Sequence, residues 1–197
     1  MKLLASPTSP YARLVRVVIH EKHLDGTVSC EWVDPWASPG SLLAANPFSR
    51  VPTLLADDGE VLTESLLIAL YLDQRFPEPV LVPAGSRARI YRKLGLANGL
   101  IDAAVAVVAA RRFGYEKPDR DPVRRRLDSL RRGMAMLDSD AADARTPDLG
   151  DLALAIGLAY LDFRLPEFGW RDLASALAEW YRVVEQRPSL QHTRPPA

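Results

Sequence analysis

The sequence predicts a mixed α/β domain followed by an all-helical domain, and three observations carry that expectation. Over the first 78 residues, short apolar runs of strand period alternate with stretches of helical period. A stretch rich in proline, "FPEPVLVPAGS", interrupts the pattern at 76–86. Beyond it every patterned segment has the helical period. The expected domains are therefore 1–78 and 87–197, joined by a linker at 79–86.

The front half reads element by element. "KLLAS" suits a first strand, and Pro10 to about Lys22 a helix with Tyr11, Leu14, Val15 and Val18 on one face. "TVSCEWVD" alternates Val28, Cys30 and Trp32 against Thr27, Ser29 and Glu31, the period of a half-buried strand. "VPTLLADDGEVLTES" gives two short strands around a turn at Asp57–Asp58–Gly59. Ser65 to Phe76 returns to helix. With a short helix allowed before the hairpin, the order is β-α-β-α-β-β-α, a small mixed sheet with helices on its faces. In the second half, helices are expected at about Ser86–Arg111 and Pro122–Leu137, the latter with Val123, Leu127, Leu130 and Met134 as its stripe. "DLALAIGLAYLDF" is apolar nearly all round and suits a central buried helix. A last helix covers about Asp172 to Gln186.

Composition narrows the function classes. The 197 residues are 48% hydrophobic and 25% charged, ordinary for a globular protein, with formal net charge zero. Six basic and ten acidic residues precede Pro79, and 19 and 15 follow from there on, a split too mild to suggest nucleic acid. One cysteine, Cys30, excludes an internal disulfide and a multi-cysteine zinc site. Its strand pattern points to an inert core position. His20, His23 and His192 lack metal-ligand spacing, and no metal is expected. The basic run "DRDPVRRRLDSLRRG" is interleaved by Asp121 and Asp128 and reads as a solvated helix face. The opening residues do not resemble a signal peptide and no later stretch looks long enough to span a membrane, so a cytoplasmic protein is expected.

Three short motifs carry chemistry. In "SPTSPYARL", Ser9 followed by Pro10 makes a good helix start, because proline gives up only an amide that already lacks a partner. The same serine and the free amides behind it suit a bound anion that needs hydrogen bonds rather than a base, a thiolate among them. In "NPFSRVPTL", Val51–Pro52 reads either as an edge-strand proline or, if cis, as a bend that turns the Val51 backbone outward to pair with an extended peptide. In "LTES", Glu64 and Ser65 are an acidic residue and a helix cap, or a cradle in which Ser65 and the helix amides take a carboxylate and Glu64 an ammonium.

The order and spacing of these motifs, followed by a proline-broken linker and an all-helical half, resembles the cytosolic glutathione transferases over nearly the whole chain. "DLGDLALAIGLAYLDFR" is similar to that family's capping box, with Asp148 in place of the usual Ser or Thr and Asp151 as its partner. "RPSLQHTRPP" resembles the tails of bacterial members. The resemblance implies a thioredoxin-like first domain, glutathione as co-substrate, and a homodimer that conjugates the glutathione thiolate, stabilised by the Ser9 hydroxyl, to a small hydrophobic electrophile. The alternatives are a glutathione-dependent isomerase like the zeta members, or a non-catalytic binding or regulatory protein of the same fold. It implies that Val51 pairs with the cysteinyl backbone, that Glu64 and Ser65 hold the γ-glutamyl end, and that Arg50 lies near the glycyl carboxylate. Ser9 stands where other members carry a catalytic cysteine, which argues against disulfide exchange; Thr8 and Ser6 are close enough that either could be the family's serine instead of Ser9. Asn98 and Asp102 are candidates for reaching a partner subunit's glutathione, or else a buried cap or interface pair. Tyr11, Val105 and Tyr115 are expected to bound a second-substrate pocket.

Overall fold

The computed structural model describes residues 1–114, 122–138 and 146–196. Its elements in chain order are β1 (Lys2–Ala5), α1 (Pro10–Glu21), β2 (Ser29–Trp32), α2 (Gly40–Ala45), β3 (Thr53–Leu55), β4 (Val61–Thr63), α3 (Ser65–Arg75), α4 (Arg87–Phe113), α5 (Pro122–Asp138), α6 (Leu149–Arg164), α7 (Trp170–Leu173), α8 (Ser175–Val184) and α9 (Pro188–His192). The chain divides into two compact units, Met1–Ala84 with Arg187–Ala197, and Gly85–Gln186.

The first unit is built on a four-stranded sheet in the order β2-β1-β3-β4. β1 and β2 run parallel, and β1–β3 and β3–β4 antiparallel, the thioredoxin-like arrangement that the resemblance implied. The hairpin turn forms where the sequence placed it. Gly59 takes φ 89°, a conformation that side chains with a Cβ disfavour, and Asp58 Oδ1 accepts from the Glu60 amide at 3.1 Å. Helices α1 and α3 pack together, with Leu14, Val15, Val18, Ile68 and Leu72 buried alongside Leu3, Leu4 and Leu54 of the sheet.

A buried cation organises the segment after α3. Lys22, at the C-cap of α1, pairs with Asp73 at 2.5 Å and donates to the carbonyls of Phe76 and Pro79, each at 2.7 Å. Asp73 in turn accepts from the amides of Leu81 and Val82 at 2.9 and 3.1 Å. Each charge in this cluster meets an opposite charge and several hydrogen bonds, the condition for holding ions out of water.

The second unit centres on α6, which packs on α4 and is buried along most of its length, as its composition predicts. Asp148 caps it. The Asp148 side chain accepts from the Asp151 amide, the Asp151 side chain accepts from the Asp148 amide, each at 3.0 Å, and the capping box is complete. Arg89 and Lys93 of α4 pair with Asp148 and Asp151 at 2.7 and 2.5 Å. The two helices approach closely because α6 has no side chain at two places. A Cβ at Gly150 would stand 2.9 Å from Lys93 Cβ, and one at Gly157 would stand 2.8 Å from Leu100 Cδ2.

Several expectations need correction. The tail is expected in the helical domain, yet 187–197 clusters with the sheet unit. Arg187 and Ser189 bond the Glu21 carboxylate, and Arg13 of α1 donates to the Leu190 carbonyl at 3.0 Å. The helix expected over 172–186 is two, α7 and α8, broken at buried Ala174; Asp138 Oδ1 accepts from the Leu177 amide at 2.8 Å and so caps the start of α8. Cys30 is exposed rather than in the core, and Trp32 on the same face is 52% exposed. β2 is an edge strand, and alternation reveals which residues share a face but not whether another element covers it. By length and composition, Ala84–Phe113 is also apolar enough to cross a membrane, against the expectation that no stretch is long enough. Its buried residues pack on α5 and α6, as in the core helix of a folded domain.

Candidate functional site

Strand register brings the three motifs together. Leu4 pairs with Thr53 and Thr53 with Thr63, so the C-terminal end of β1, the start of β3 and the end of β4 lie side by side. The loop Ser6–Ser9, the dipeptide Val51–Pro52 and the pair Glu64–Ser65 leave the sheet at that one end.

Ser9 caps α1 in extended conformation, with φ −78° and ψ 122°. Its Oγ accepts from the Ala12 amide at 3.2 Å, and its backbone amide donates to the Ser6 carbonyl at 3.2 Å. The cap uses Ser9 as an acceptor only. Among the described residues nothing accepts its hydroxyl proton, so that donor stays available while the cap is kept. Thr8 and Ser6 are half-buried, and their hydroxyls also lack a partner among the described residues, so the geometry leaves all three in place as donors.

The Val51–Pro52 peptide is cis. Val51 is half-buried, and neither its amide nor its carbonyl has a partner among the described residues. The turn before it is tightly held. Buried Asn46 accepts from the Phe48 amide and donates to the Arg50 carbonyl at 3.1 Å and to Thr53 Oγ1 at 3.2 Å, and Thr53 Oγ1 donates to the same carbonyl at 2.9 Å. The Arg50 side chain is exposed with no described partner. Sequence reasoning passed over Asn46 and Thr53. The available signal was an asparagine directly before proline, a residue type that bonds nearby backbone in turns.

Glu64 sits at φ 66° and ψ 116°, outside the regions that residues with a Cβ favour, and it is exposed. No side chain caps α3 behind it, so the first amides of that helix are open to an anion. Ser65 is buried, and its hydroxyl has no described partner. A non-glycine residue held at positive φ beside an uncapped helix start is the sort of local cost found at binding sites.

The remaining candidates are less concentrated. Asn98 Nδ2 donates to Asp102 Oδ2 at 3.0 Å on one face of α4. Tyr11 and Val105 are half-buried, and Tyr115 lies outside the described residues. Partial desolvation pushes the Cys30 thiol up against the opposing charge of Arg16, which keeps it protonated at neutral pH. Among the described residues no group of three or more His, Cys, Asp or Glu could hold a metal ion.

Comparison with known proteins bears on this arrangement directly. Residues 3–80 match the family model for the glutathione S-transferase N-terminal domain. The structure aligns over 100% of its length with 99% of a glutathione transferase family member from Pseudomonas fluorescens Pf-5, solved with bound glutathione, at 34% identity and a TM-score of 0.88. The chain belongs to the glutathione S-transferase family. Among other relatives in this family, the uncharacterized GST-like protein YibF of Escherichia coli is 26% identical over 204 residues, covering 100% of this chain and 99% of that one. A stringent starvation protein A homolog from Coxiella burnetii is 40% identical over 94 residues, 46% of this chain and 44% of its own. As in a glutathione S-transferase, a sheet unit that carries the candidate site is followed by a mostly helical unit.

Proposed function

We propose that this protein binds glutathione at the shared end of β1, β3 and β4 and conjugates its thiolate to a small apolar electrophile, with Ser9 donating to the sulfur. The observation that carries the reading is the Ser9 hydroxyl, tied to Ala12 as an acceptor and free to donate. The cis Val51–Pro52 peptide and the Val51 backbone, which has no partner among the described residues, support strand-like pairing with the cysteinyl segment, and the uncapped start of α3 with Ser65 supports a carboxylate. Glu64 then meets the γ-glutamyl ammonium, and exposed Arg50 meets the glycyl end.

The energies suffice without a base. A thiol with pKa about 8.5 is a few per cent ionised near neutral pH, and lowering it by two units takes about 2.7 kcal/mol. A hydrogen bond to a charged group contributes about 1.5–3 kcal/mol and a helix N-terminus about 0.3–1 more. We further propose a cytoplasmic homodimer in which Asn98 and Asp102 face the partner.

Calorimetric titration with glutathione, in two buffers of different ionisation enthalpy near neutral pH, tests the reading. Binding with release of about one proton supports thiolate formation. Binding without proton release makes the protein a glutathione-binding relative that does not activate the thiol, and absence of binding refutes the site. If the thiolate forms, a comparison of maleylacetoacetate with a halogenated aromatic as substrate separates isomerisation from conjugation.

A further inference from the structure

The geometry points to Asn46 and Thr53 as positioning residues that aim the Val51 amide at a ligand. This inference rests on the glutathione site proposed above and assigns the side chains that hold it in shape.

One peptide group links the two side chains to the ligand side. The Arg50 carbonyl and the Val51 amide belong to the same peptide unit, and that unit is trans. In a trans peptide the C=O and N–H point in opposite directions. The Arg50 carbonyl has two lone pairs, and both are engaged, by Asn46 Nδ2 at 3.1 Å and by Thr53 Oγ1 at 2.9 Å. Asn46 and Thr53 are 2% and 0% exposed, so the carbonyl is held toward the protein by groups that cannot swing into water. The Val51 N–H is therefore turned the other way, and it has no partner among the described residues. The two donors are also locked to each other, since Asn46 Nδ2 donates to Thr53 Oγ1 at 3.2 Å. The Asn46 amide orientation follows from the network, because its Oδ1 accepts from the Phe48 amide at 3.1 Å and its Nδ2 faces the Arg50 carbonyl, which can only accept.

Two consequences follow. A donor fixed before the ligand arrives costs no ordering on binding. Hydrogen bonds to the carbonyl of a peptide also polarise its N–H, which strengthens that donor. Asn46 and Thr53 touch no ligand in this account; they act through the Arg50–Val51 peptide.

The test uses the full chain with Thr53→Val, which keeps the shape and removes the hydroxyl, and Thr53→Ser, which restores it. Glutathione affinity by calorimetry should fall about three- to tenfold in Thr53→Val, as for loss of a modest hydrogen bond, and return in Thr53→Ser. The glutathione KM should rise with it while the pH profile of the bound thiol is unchanged, a split that global destabilisation does not produce. The Val51 amide resonance in ¹H–¹⁵N spectra provides a readout independent of any ligand. It should be single and sharp in the wild type and in Thr53→Ser, and broadened or doubled in Thr53→Val. Asn46→Asp, which keeps the acceptor for Phe48 but replaces the donor, should act in the same direction; if it does not fold, the Thr53 pair decides. If the wild type fails to bind glutathione, the proposed function falls, and the Val51 resonance alone decides the positioning role. An unchanged Val51 signal in Thr53→Val, or unchanged affinity where the wild type binds, overturns it.

Discussion

Replacing Ser9 by alanine removes two separable things, and the structure lets each be sized. The first is the helix cap. Oγ accepts from the Ala12 amide at 3.2 Å, and loss of a serine cap costs about 1 kcal/mol of stability. The second is the uncommitted hydroxyl proton. If it donates to the bound thiolate, its loss removes about 1.5–3 kcal/mol of stabilisation, which raises the bound thiol's pKa by about 1.1–2.2 units. Starting from a pKa about two units below the free thiol, the ionised fraction near pH 7 falls roughly four- to fortyfold. Conjugation should fall by that factor and recover as the pH is raised past the new pKa. Ser9→Gly separates the two effects, because glycine at a cap costs only about a few tenths of a kcal/mol while lacking the hydroxyl. The assays are thiolate ultraviolet absorbance of the bound glutathione against pH, and denaturant unfolding for the cap. A Ser9→Ala protein that loses the cap energy yet keeps the wild-type thiol titration refutes the role given to Ser9 and moves it to Thr8, Ser6 or the helix amides.

Two further predictions concern stability. Lys22→Met should cost about 3–5 kcal/mol in denaturant unfolding, because it leaves the buried Asp73 carboxylate without its cation and orphans the Phe76 and Pro79 carbonyls. A cost below about 1 kcal/mol would sink that account. Burial pushes the Glu21 carboxyl up, but the bonds from Arg187 and Ser189 outweigh it and hold the group below the usual carboxylate range. A depressed acid stabilises the fold above its unfolded pKa, about 4.3, and that contribution is lost as pH falls through the folded value. Amide exchange at residues 189–194 should therefore speed up on acidification below about pH 4 beyond the intrinsic change, and Glu21→Gln should show the fast exchange at neutral pH already. Identical exchange in Glu21→Gln and wild type at neutral pH would refute the clamp.

Local grammar made much of this protein legible from its residues. The strand order along the chain, the hairpin at Gly59, the Ser9–Pro10 helix start and the Asp148–Asp151 capping box each depend on neighbours within a few positions, and all formed as read. The break between α7 and α8 was not legible, because the carboxylate that caps α8 comes from Asp138, 39 residues earlier.

The sequence by itself determined which residues could do chemistry: the hydroxyls at 6, 8 and 9, the Val51–Pro52 dipeptide, and Glu64–Ser65. Tertiary structure alone decided that they meet, because their meeting depends on pairing Leu4 with Thr53 and Thr53 with Thr63. It also decided what is exposed and what is held. Cys30 lies on an edge strand, Lys22 is drawn into the interior by Asp73, the tail docks on α1 through Glu21, and the Val51 amide faces outward because Asn46 and Thr53 hold the other end of its peptide. Each of these depends on contacts between segments that sequence spacing does not encode, where the cost of burying a charge or a carbonyl is offset only by a partner the fold brings from elsewhere.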